Sequence, residues 1–313
     1  VSLTCYIQMD PLSRLVHEDD TTLFLAKEAL QQGYELYVYE PASLSLRNQK
    51  LVAFGGALSY SSSKGWQQKE NHILDFEKAD VVLIRQEPPF DMCYITSTYL
   101  LDFLPKKCLV LNSPEALRNF PEKIIPHYFK RYLAPTLISS NNGEMENFLK
   151  EYKDIVIKPL YLYGGAGVER IKTKKTLLKY LSQQRKTTPP FILQKFLPSI
   201  ETTGDKRLIF IDGKLEGWYQ RRPAKGTFLT NFYKNPSVQT CDLTPKEREV
   251  ATAVSTFLNQ KNIYFAGADL VEEFLLEINT TCTASLPTIA KISNTRLDKI
   301  FWEGIKKRLS SFS

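Results

Sequence analysis

Phe265-Ala266-Gly267-Ala268-Asp269-Leu270-Val271-Glu272-Glu273-Phe274-Leu275-Leu276-Glu277-Ile278-Asn279 reads as two strands joined by a tight turn. Glu277 and Asn279 are two residues apart on a strand and so point to one face. A turn centred near Glu273 sets Asp269 opposite Glu277, so two carboxylates and an amide oxygen converge. Hard oxygen donors of this kind suit Mg²⁺, which keeps waters and shares phosphate oxygens. The apolar flanks Phe265, Leu270, Leu275 and Ile278 indicate a mostly buried hairpin, and buried carboxylates need partners. The residues alone leave two readings open: a divalent-metal site, or a hairpin carrying ordinary polar side chains.

Upstream, Lys158 ends the apolar run Ile155-Val156-Ile157 and precedes Pro159 and the turn Gly164-Gly165-Ala166-Gly167. Glycines let backbone N–H groups approach phosphate oxygens, and a lysine supplies a point charge. No Gly-Lys-Ser/Thr follows, so this is not a Walker A loop. Gln194-Lys195-Phe196-Leu197-Pro198 follows another apolar strand. It reads either as a segment offering backbone groups to adenine or as a strand end broken by proline. Asp205-Lys206-Arg207 and Arg221-Arg222 add charge to the same half.

Working outward, strands over 3–8, 35–39, 81–85 and 108–111 alternate with a helix over 23–32 capped by Asp20-Thr21-Thr22 and stopped at Gly33. That rhythm predicts an open parallel α/β domain over 1–120, with ligands at the carboxyl ends of its strands. Asp10, Arg85 and Pro88-Pro89 fall at such ends. From Pro121 the rhythm changes to a small α+β unit over 121–195. It has strands over 154–158, 169–173 and 191–196 and a helix over 177–184. A third unit, 196–313, has hairpins at Asp212-Gly213 and Glu272-Glu273, a helix over 246–259 and another over 294–309.

The 313-residue chain carries a net charge of +7, but its basic residues are dispersed and read as solvated faces, not a nucleic-acid surface. No run approaches the roughly 20 apolar residues needed to span a bilayer. The first ten residues read as a strand, not a signal peptide. Cys5, Cys93, Cys108, Cys241 and Cys282 have neither disulfide-framework nor zinc spacing, and His17, His72 and His127 are scattered, which predicts a reducing, cytoplasmic setting.

In order and spacing these pieces resemble the ATP-grasp superfamily, and within it the bacterial glutathione synthetases. The likeness runs through Met9-Asp10-Pro11, Arg85 with Pro88-Pro89-Phe90-Asp91, Glu122-Lys123, Ile157-Lys158-Pro159-Leu160, Gly164-Gly165-Ala166, Gly204-Asp205-Lys206-Arg207 and Glu277-Ile278-Asn279. It implies an N-terminal α/β domain followed by a two-lobed ATP-grasp fold. Lys123 and Lys158 match the ATP-phosphate lysines, and Gly164, Gly165 and Ala166 the loop over the phosphates. Gln194, Lys195, Phe196 and Leu197 match the adenine hinge, and Asp205 a nucleotide-site acid. Asp269, Glu277 and Asn279 match the Mg²⁺ ligands, with Mn²⁺ the second candidate ion. Arg207 and Arg221, with Lys158, match basic residues beside the reacting groups, while Asp10, Arg85 and Asn231 fall toward the peptide substrate. The resemblance implies small-molecule substrates with ATP, no nucleic acid or membrane partner, and a homo-oligomer as the usual state.

The implied chemistry transfers the γ-phosphoryl of ATP to a carboxylate, after which an amine attacks the acyl phosphate. Two segments depart from the family. An arginine of its glycine-rich stretch is Leu229 here, and its paired glycines are Asn235-Pro236. The loop after Glu-Ile-Asn, where the family carries Ser-Pro, is Thr280-Thr281-Cys282-Thr283-Ala284-Ser285. Three activities stay open: glutathione synthesis from γ-glutamylcysteine and glycine, ligation of another acid–amine pair, or a non-catalytic ATP-binding role like that of the synapsins.

Overall fold

The computed structural model describes residues 2–183, 190–231 and 236–311. The expected helix end at residue 184, and Asn235 of the departing stretch, lie outside them.

The N-terminal part contains β1 (Thr4–Gln8), α1 (Thr21–Gln31), β2 (Glu35–Tyr39), β3 (Ser45–Arg47), β4 (Lys50–Ser61), β5 (Gly65–Gln68), β6 (His72–Asp75), β7 (Val81–Ile84), α2 (Met92–Leu101), β8 (Leu109–Leu111) and α3 (Pro114–Asn119). Asp20 caps α1 by accepting a hydrogen bond from Leu23 N at 2.7 Å. Strands β2-β1-β7-β8 are parallel, as the alternation of strand and helix predicts. The sheet continues past β2 with antiparallel β4, which also pairs with β3, β5 and β6. The sequence reading had no strands in that stretch.

The central part is a small antiparallel sheet ordered β11-β10-β12-β9. It comprises β9 (Thr136–Ser139), α4 (Asn142–Tyr152), β10 (Ile155–Pro159), β11 (Glu169–Ile171), α5 (Lys174–Gln183) and β12 (Phe191–Lys195). Ile155, Ile157 and Leu193 turn into a core of its own with Leu177 and Tyr180. Strand alternation then aims Val156, Lys158 and Gln194 the other way.

The C-terminal part has α6 (Ser199–Thr202), β13 (Asp205–Ile211), β14 (Lys214–Arg222), β15 (Ser237–Gln239), α7 (Pro245–Gln260), β16 (Phe265–Val271), β17 (Phe274–Asn279), α8 (Leu286–Ser293) and α9 (Leu297–Ser310). Its sheet order is β15-β14-β13-β16-β17. Leu208, Phe210, Ala268, Leu270 and Ile278 pack on one face with Val254 and Leu258 of α7. Ile209, Ile211, Tyr219 and Phe265 pack on the opposite face. There they share one core with Ile7, Leu25, Leu36 and Val38 of the N-terminal part and Phe301 and Trp302 of α9. Burial of each such large side chain is worth roughly 1.5–3 kcal/mol, so the first and third parts are welded into one body. None of the described helices is long and apolar enough to cross a membrane.

Candidate active site

Where the central sheet faces the C-terminal sheet, a cleft of about 320 Å³ opens. Its C-terminal wall is the hairpin β16–β17. Asp269 pairs with Glu277 and Gly267 with Asn279, and a bulge lies between Asp269 and Leu270. Because Ala268, Leu270 and Ile278 belong to the α7 core, strand alternation turns Asp269, Glu277 and Asn279 to the cleft.

Asp269 is buried and clamped. Arg207 Nε and Nη2 both donate to its carboxylate, the second at 2.8 Å, and Arg221 Nη2 lies 3.0 Å from Oδ1. Arg221 also grips Asp205 through Nε, at 2.9 Å, and Nη2. Register explains this network: Asp205 faces Arg221 and Arg207 faces Asp269 on adjacent strands. Burial alone would raise the Asp269 pKa, but the two guanidiniums override it and hold the carboxyl well below the usual range.

From the opposite wall comes Lys158, only 9% exposed. Burial, reinforced by Lys123 and opposed by Glu277 and Asp269, brings its amine down to about 8. Lys123 Nζ donates to Leu162 O at 2.6 Å and lies 3.9 Å from Glu277 Oε2. The glycine turn closes the cleft above. Gly165 has φ +74, and a Cβ there would collide with the Asn231 amide. Asn231 Oδ1 is buried without a hydrogen-bond partner.

The cleft therefore brings together Lys123, Lys158, Gly164, Gly165, Ala166, Gln194, Lys195, Phe196, Leu197, Asp205, Arg207, Arg221, Asn231, Asp269, Glu277 and Asn279. Two expected residues sit elsewhere. Asp10 lines a neighbouring cavity of about 310 Å³ with Glu40 and Phe54, and its Oδ2 accepts from Glu87 N at 2.8 Å. Arg85 is buried behind the cleft wall, donating to Thr22 Oγ1 at 3.1 Å and Thr283 O at 2.8 Å. The sequence assigned no role to Glu122. Its Oε1 accepts from Thr280 N, Thr281 N and Thr281 Oγ1 and so anchors the loop after β17. A glutamate beside a site lysine was the available signal.

The donor set fits a divalent cation. The Asn279 amide nitrogen lies 3.5 Å from Gly267 O, so its Oδ1 is the oxygen left to a cation. No group of three His, Cys, Asp or Glu able to hold a metal occurs among the described residues. A cation here would draw on an amide oxygen besides the two carboxylates, and magnesium commonly takes its remaining ligands from phosphate and water.

Comparison with known proteins agrees with this geometry. Residues 3–118 match the prokaryotic glutathione synthetase N-terminal domain and residues 122–294 its ATP-grasp domain. A glutathione synthetase of Rhodopseudomonas palustris is 33% identical over 312 residues, covering 98% of this chain and 99% of that one. One of Brucella melitensis is 34% identical over 314 residues, covering 98% and 100%. Among solved structures, D-cycloserine synthetase DcsG shares the fold, with a TM-score of 0.70, 14% identity and coverage of 98% and 100%. The family works on small-molecule substrates with ATP and a divalent metal. With an acidic hairpin facing Lys158 across a cleft and Lys123 beside it, and with likeness along almost its entire length, the chain belongs to the prokaryotic glutathione synthetase family, as an ATP-dependent carboxylate–amine ligase.

Proposed function

We propose that the chain joins γ-glutamylcysteine to glycine, converting ATP to ADP and phosphate, in the cytoplasm. The observation that carries this reading is the meeting in one cleft of Lys158 from the central sheet, Asp269, Glu277 and Asn279 from the C-terminal sheet, and Lys123 from the segment after α3. Gln194, Lys195, Phe196 and Leu197 hold adenine at the hinge, with Asp205 as a nucleotide-site acid. Lys123, Lys158 and the Gly164–Gly165–Ala166 backbone steady the phosphates. Asp269, Glu277 and Asn279 would hold Mg²⁺, or Mn²⁺ as the second choice, which would neutralise phosphate charge. Arg207 lies beside the transferred group, clamped so that its charge is already oriented.

The γ-phosphoryl passes from ATP to the substrate carboxylate, giving an acyl phosphate and ADP. The amine then adds to the acyl carbon, loses a proton, and phosphate leaves as the amide forms. Acyl phosphates hydrolyse readily, so the glycine turn, Leu229 and Asn231 serve by excluding water.

A second reading, ligation of another acid–amine pair, is favoured by Leu229 and Cys282, which line the cleft where the family's pattern differs. Phosphate release by purified protein with ATP and Mg²⁺, across a panel of acids and amines, separates the two. Turnover with γ-glutamylcysteine and glycine above all other pairs supports the first; turnover only with other pairs rejects it.

A further inference from the structure

We propose that Arg85 is a positioning residue. It holds the 280–285 loop of the C-terminal part against the N-terminal sheet and so sets the substrate end of the cleft. The ligase reading supplies what the loop contacts; the clasp itself stands on geometry. Arg85 follows β7 and is 5% exposed. A buried guanidinium is costly unless well satisfied, and the hydrogen-bond partners of the Arg85 side chain are the neutral Thr22 Oγ1 and Thr283 O.

Its Nη2 donates to Thr283 O and its Nε to Thr22 Oγ1 of α1. Its own carbonyl accepts the Cys282 thiol, at 3.1 Å. The guanidinium lies 5.5 Å from the Phe265 ring centroid. The contact is reciprocal: side chain to loop backbone, and loop side chain to strand backbone.

What this clasp spaces is the cleft wall. Cys282 and Ala284, on either side of Thr283, line the cleft, and so does Glu87, two residues after Arg85. Slack at Arg85 therefore shifts the loop against the segment after β7 at the substrate end, while Lys158 and the adenine hinge lie on the central sheet.

The test combines amide hydrogen exchange of the ligand-free chain with kinetics for the best acid–amine pair. Arg85→Lys should speed exchange at Thr280, Thr281 and Leu286 at least tenfold. The KM for the acid or the amine should rise at least tenfold, with nucleotide affinity held within twofold. Cys282→Ser, which keeps the donor, should exchange like the parent chain, and Cys282→Ala faster. A raised KM with unchanged exchange would make Arg85 a direct substrate ligand and overturn the proposal. So would a parallel loss of nucleotide affinity, or Ser and Ala behaving alike at position 282. If Arg85→Lys does not fold, Thr22→Val removes only the Nε partner and carries the same comparison. Should the parent chain turn over no pair, the ligase reading falls, while the exchange data still decide the clasp.

Discussion

Lys158 combines burial with a place in the cleft lining. Replacing it by alanine removes an ammonium from the phosphate end of the cleft, and nucleotide affinity should drop by about 1.5–3 kcal/mol, measured by calorimetry. Its acidity gives a second outcome. The folded chain brings the amine to about 8 from an ordinary 10.5, so the charged form is the disfavoured one. Below pH 8 the amine is protonated and ready for phosphate. Above it, the free protein has released the proton and binding must take one up. Affinity should therefore fall with rising pH above 8, by about tenfold per unit at most. Lys158→Arg, which stays charged, should flatten that slope. At Gly165 the constraint is steric. Alanine there meets both a positive φ and the Asn231 amide, so turnover should fall by about tenfold. The melting temperature should hardly change, because the turn belongs to no core.

At the scale of elements, the hairpin was legible and its supports were not. Two carboxylates and an asparagine at strand spacing announced one face. The register that puts Asp269 opposite Glu277 depends on the bulge after Asp269; unbulged, the Leu270–Leu275 register would pair Asp269 with Leu276. The antiparallel extension around β4 stayed hidden because Gly55 and Gly56 interrupt its pattern and its partners are short. Arg85 and Asp10 were legible as strand-end residues, but which surface each would face depends on contacts almost 200 residues away, such as Arg85 to Thr283. Asn112 is a similar case. Just past β8, its Nδ2 donates to Phe265 O and Thr280 O, both at 2.7 Å, and its Oδ1 accepts from Tyr264 N and Phe265 N. Asn112→Ala leaves four buried backbone groups unmatched and should cost about 3–5 kcal/mol in denaturant unfolding.

Across the whole molecule, the cores mark what moves together. The central sheet has its own apolar cluster, whereas the N-terminal sheet and the β13–β16 sheet share one. Trp302 is fully buried in that shared cluster and donates Nε1 to Leu25 O at 2.9 Å. Trp302→Ala should destabilise by about 3–5 kcal/mol, and circular dichroism of secondary structure and of Tyr34, its edge-on neighbour, should report the loss at one midpoint. The seam expected near residue 120 is a change of rhythm in the chain, and the shared core spans the first and third of the three expected units. An N-terminal segment transplanted from a distant relative would arrive with half an interior and no mate for it. A swap made at the apparent boundary would break the part of the protein that most needs to stay whole, because residues on both sides of the intervening lobe share one interior.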